Sequence, residues 1–135
     1  MAENELEVSV AEVVEYLRIS HEFSPVLKKV IDRKVTVSQA KKLGITVEDV
    51  ELQRAADVFR VTHQLQKASD AEQWLRENRI SDDSLEQYLE DNLMIDKFKH
   101  HLNKTTVKDK YLSSPEVTGQ ITEMIYQDWL EKMFA

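Results

Sequence analysis

Ser24-Pro-Val-Leu-Lys-Lys-Val-Ile-Asp-Arg-Lys-Val-Thr-Val-Ser-Gln-Ala-Lys-Lys-Leu-Gly-Ile-Thr46 reads as a helix with both ends written into it. Serine is a preferred N-cap and proline fits the first helical position, so Ser24-Pro25 is a start. Val26, Leu27, Val30, Ile31, Val37, Ala40 and Leu43 carry an apolar face to Gly44. Glycine enters the left-handed region freely, which makes Gly44 the natural residue just past the helix end. The β-branched run Val35-Thr36-Val37 weakens the middle, and a kink is expected there.

The same grammar repeats outward. Ser9 with Glu12 forms a capping box before Val10, Val13, Val14 and Leu17. Thr46 opens a third helix with Asp49 at its third position. Leu52, Ala55, Ala56, Phe59 and His63 form one stripe of that helix, and Val58, Val61 and Leu65 a second. Ser69 with Glu72 opens a short helix through Trp74 and Leu75 to about Asn78. Ser81 caps a long one bearing Leu85, Tyr88, Leu89, Leu93, Ile95, Phe98 and Leu102. Residues 103–113 are polar and irregular, and Ser114-Pro115 starts a last helix. The reading is all-α, with six helices: a helical core over 9–102, a polar hinge at 103–113 and a closing helix over 114–135, together one domain.

Composition agrees. The 135 residues include only 2 Gly and 2 Pro, where an average chain carries about 7% and 5%. Barrels, sandwiches and nucleotide-binding sheets depend on glycine-rich turns and are disfavoured. No cysteine is present, so disulfides, thiolate nucleophiles and thiolate metal sites are excluded. Apolar runs are too short to span a membrane, and the acidic start Met1-Ala-Glu-Asn-Glu-Leu-Glu7 lacks a secretory apolar stretch. A cytoplasmic protein is expected. The net charge of −7 disfavours nucleic acid as a partner. Charge is segregated: Lys28, Lys29, Arg33, Lys34, Lys41 and Lys42 face only Asp32 within 26–43. Residues 69–96 hold nine acidic and two basic side chains. Such faces attract one another within a fold, or steer a charged partner.

No catalytic apparatus is legible. The four histidines are His21, His63, His100 and His101. The adjacent pair points about 100° apart on a helix and cannot share a metal as an i, i+4 pair does. His63 continues an apolar stripe and is expected half-buried. No GxSxG, phosphate loop or HExxH is present, so no catalytic residue, metal or cofactor is assigned. The last helix is less ordinary. Val117, Ile121 and Met124 define one apolar face, whereas Ile125, Tyr126, Trp129, Leu130, Met133 and Phe134 carry it round by about a quarter-turn.

The order of these motifs resembles the N-terminal chaperone region of SurA-type and related parvulin-linked peptidyl-prolyl isomerases. In that family a helix ends in Ala-x-x-x-Gly-Ile, here Ala40 to Ile45. A capped start follows, here Thr46 to Glu51, and leads into an Ala-x-x-Phe-Arg-like element, here Ala56 to Arg60. Trp74-Leu75 and Ile80-Ser-Asp-Asp-Ser-Leu85 resemble the next short helix and its restart. Ile125-Tyr-Gln-Asp-Trp-Leu130 resembles the helix that closes the module after the isomerase domain. The resemblance covers residues 24–102 and 114–134. Where family members insert a parvulin domain, this chain has only residues 103–113, so no isomerase activity is expected.

The resemblance implies a compact SurA-like bundle whose closing helix completes the core, and a role in holding an unfolded or extended polypeptide client in an apolar groove without catalysis. Candidate groove residues are Tyr126, Trp129, Met133 and Phe134, with Phe98 and Leu102 beside them. Two alternatives stand next to this. One is an enzyme, either a residual isomerase or a helical catalyst in a biosynthetic pathway. The other is a homodimer formed by exchange of the last helix.

Overall fold

The computed structural model describes residues 7–106 and 115–134. Six helices follow in chain order: α1 (Val10–Ile19), α2 (Phe23–Lys42), α3 (Asp49–Thr62), α4 (Ala68–Glu77), α5 (Asp82–Thr106) and α6 (Pro115–Met133). Among the described residues there is no strand. The all-α, six-helix expectation holds, and α5 packs against both α6 and α3.

The chain divides into two compact units, Met1–Val35 and Thr36–Ala135. In the first, Ser9 caps α1 by accepting from the Glu12 N–H at 3.1 Å, as the capping box predicts. The Arg18 guanidinium lies 5.0 Å from the Phe23 ring centroid, and Lys28 pairs with Asp32 at 2.8 Å. Val10, Tyr16, Ile19 and Val26 are exposed. In the second unit, Val37, Ala40, Met94, Ile95 and Phe98 form the core, with Ile45, Val47, Leu102 and Trp129 packed against it.

Several starts differ from the sequence reading. α2 begins at Phe23, placing Ser24 and Pro25 inside its first turn, where the missing proline N–H has no intrahelical acceptor to lose. α3 begins at Asp49, not at Thr46. The Thr46 carbonyl accepts from Lys97 Nζ at 2.7 Å, which holds that residue outside the helix. Glu48 becomes the N-cap, and its N–H donates to Glu51 Oε1 at 3.2 Å. α4 begins at Ala68, one residue before Ser69. Ser81 does cap α5, accepting from the Ser84 N–H at 3.1 Å. α5 continues through Thr106, so residues 103–106 of the expected hinge are helical; residues 107–114 lie outside the described residues. α2 stays helical through Val35-Thr36-Val37, where Thr36 and Val37 are buried.

Within α6 the inward stripe runs through Ile121, Thr122, Ile125, Tyr126, Trp129 and Leu130 without the expected rotation. Thr122 donates its hydroxyl to the Thr118 carbonyl at 2.7 Å, so it faces inward without an unsatisfied group. Met124 falls on the opposite side, 66% exposed. The Val117 side chain lies outside the described residues. Val58, Val61 and Tyr88 are likewise exposed, whereas Met94, not singled out by periodicity, is core.

Candidate functional site

The six residues proposed from sequence as groove-lining do not share one surface. Phe98 and Tyr126 are buried. Trp129 sets its ring edge-on to Phe98, 4.8 Å between centroids, and Leu102 packs on the same core. Tyr126 stacks on Trp129 at 6.3 Å, and its hydroxyl shares a 2.8 Å hydrogen bond with Thr36 Oγ1. The Lys99 ammonium sits 4.7 Å from the Tyr126 ring centroid. Met133 and Phe134, at the end of α6, are 44% and 51% exposed. Phe98 and Tyr126 are therefore buried, Leu102 and Trp129 are part-buried against the core, and Met133 and Phe134 are the most open to solvent.

Beside α6 the second unit has a cleft of about 510 Å³, but its lining, with Asp96, Lys99, His100, Thr122 and Glu123, is polar. Concave surface lined by large apolar side chains lies on α3, α4 and α5. One cleft of about 430 Å³ is lined by Phe59, Leu65, Ala71, Trp74, Leu75 and Leu85. A second, of about 360 Å³, is lined by Leu52, Ala56, Leu85 and Leu89. Arg60, Asp82 and Leu85 line both, so the two form one trough. An aromatic group builds its wall: the Phe59 and Trp74 rings meet edge-on at 5.6 Å, and His63 lies 4.2 Å from Phe59. His63 is exposed, not half-buried as its stripe predicts. It follows Phe59 by one turn at the C-terminal cap of α3, where it lies over the aromatic pair.

Periodicity could not find this trough, because its walls come from three helices. A local signal was present in Ala55-Ala56 beside Phe59. Small side chains on the inward face of a helix leave volume that only another element can fill.

One polar strut fixes α3 against α5. Lys97 reaches Glu51 Oε1 at 2.6 Å while also bonding the Thr46 carbonyl. The Lys97 ammonium, and after it the Glu48 N–H, holds the Glu51 carboxyl below its ordinary range. Among the described residues no three His, Cys, Asp or Glu side chains gather as metal ligands would, and no helix is long and apolar enough to cross a membrane. What the trough offers chemically is apolar burial with charge at its edges.

A family model described as the SurA-like N-terminal domain matches residues 11–99, well over half of the chain. No curated protein and no solved structure matches significantly.

Proposed function

This chain belongs to the SurA-like N-terminal domain family, and from that premise we propose that it holds unfolded or extended polypeptide without covalent chemistry. The observation that carries the reading is the apolar floor of the α3–α4–α5 trough, which is open along two adjoining clefts. A client's apolar side chains would be buried there at roughly 25 cal/mol per Å², most of it offset by the cost of ordering the client. Binding is therefore weak, in the micromolar range or poorer, and exchange is fast. Such a site retains a client without trapping it. Met133 and Phe134, with Trp129 behind them, supply a second apolar contact at the end of α6.

The test is suppression of a model client's aggregation by the full chain. Ala56→Gln combined with Ala71→Gln fills the trough with polar, helix-compatible side chains. The expected result is loss of protection with helicity and melting temperature preserved. Full protection by a well-folded double variant would remove the trough from the reading. Absence of protection by the unaltered protein would reject polypeptide holding itself.

A further inference from the structure

We infer that the trough selects apolar segments that carry lysine or arginine, an inference that rests on the polypeptide-binding reading above. Its floor is apolar, yet Asp49, Glu72, Asp82 and Glu86 line it, against the single cation Arg60. Arg60 is already engaged by Asp57 at 3.1 Å. Among the described residues none of those four carboxylates is in an ion pair. Asp49 and Asp82 stand in the first turns of α3 and α5, where the helix dipole accounts for them. Glu72 and Glu86 lie beyond the first turns of α4 and α5 and have no such explanation. A concave apolar surface edged by charge predominantly of one sign focuses its field on whatever enters. An apolar client segment lays its hydrophobic side chains on the floor while its ammonium or guanidinium groups reach the carboxylates at the edge. A segment rich in Asp or Glu would bury the same apolar area against repulsion. Charge adds discrimination and faster encounter here, and apolar contact supplies the rest.

Three fluorescent peptides of identical apolar sequence, with lysine, glutamine or glutamate at the intervening positions, test this on the full chain at low salt. The lysine peptide should bind about tenfold tighter than the glutamate peptide, with glutamine between. The gap should narrow sharply at about 1 M salt, where the screening length is about 3 Å. Glu72→Gln with Glu86→Gln should collapse the gap to about twofold. Equal binding of all three peptides would overturn the charge selection and leave polypeptide binding intact. No binding of any peptide would instead reject the reading on which it rests. Sedimentation at the peptide-binding concentrations supplies the other arm: a self-associated chain that peptide dissociates would show that a second copy, not a cationic client, occupies the trough.

Discussion

The pair Thr36 and Tyr126 shows what a single residue can hide. In sequence Thr36 reads as a weak point of a helix and Tyr126 as a groove-lining aromatic. In the fold both are buried and their hydroxyls meet at 2.8 Å across a separation of 90 residues. No local pattern encodes a contact that distant, so the helix around each residue was legible and their meeting was not. A double-mutant cycle with Tyr126→Phe and Thr36→Val should return a coupling of about 1 kcal/mol in denaturant unfolding. A coupling near zero would mean that the hydroxyls contribute independently. Glu51 offers a second test. Its carboxyl is held below the ordinary range by Lys97, so the folded chain binds fewer protons there than the unfolded chain. That stabilisation is fully present above the unfolded carboxylate value and is lost as pH falls through the lowered folded value. The stability difference between the protein and Glu51→Gln should therefore be constant above about pH 5 and shrink below it. A difference independent of pH down to acid unfolding would contradict the assignment.

At the scale of elements, the shortage of glycine becomes a structural fact. Helices α1, α2, α3 and α4 all end in the same motif, in which the N–H two residues past the cap bonds the carbonyl five residues before it. The bonds are Glu22 to Leu17, Ile45 to Ala40, Leu65 to Arg60 and Ile80 to Leu75. The residue just after each cap takes a positive φ: His21 at 64°, Gly44 at 79°, Gln64 at 57° and Arg79 at 54°. Only one of the four is glycine. The end at Gly44 was therefore readable, while those at Gln64 and Arg79 carried no local mark. Serine starts misled for a related reason. Ser9 and Ser81 do cap, but Ser24 and Ser69 sit within the first turns of α2 and α4, so the residue type alone does not mark the boundary. A side chain in the left-handed region costs roughly 1–2 kcal/mol, and glycine returns part of that through its freer unfolded chain. Gln64→Gly and Arg79→Gly should each raise stability by about 0.5–1 kcal/mol, read as a higher denaturant midpoint with unchanged slope. A fall at either site would show that its side chain makes contacts worth more than the backbone relief.

For the whole molecule the closing helix decides whether the second unit is complete. The family match ends at residue 99, and α6 begins sixteen residues later, at Pro115. Yet α6 places Trp129 on the core and buries Tyr126 and Leu130. Removing residues 115–135 would uncover the edge of Phe98 and leave Thr36 without its tyrosine partner. The truncated chain should lose cooperative thermal unfolding or aggregate; melting as sharp as that of the full chain would make α6 an appendage. The end of the helix separates packing from binding more finely. Trp129 is part-buried against Phe98, so Trp129→Ala should cost about 3 kcal/mol or somewhat less and lower the melting temperature. Phe134 is 51% exposed, so Phe134→Ala should leave melting within about 0.5 kcal/mol of the unaltered protein. Any loss of client protection in Phe134→Ala then reports contact with the client, because stability is unchanged. If Phe134→Ala melts normally and protects fully, the end of α6 serves the core alone, and client contact is confined to the trough.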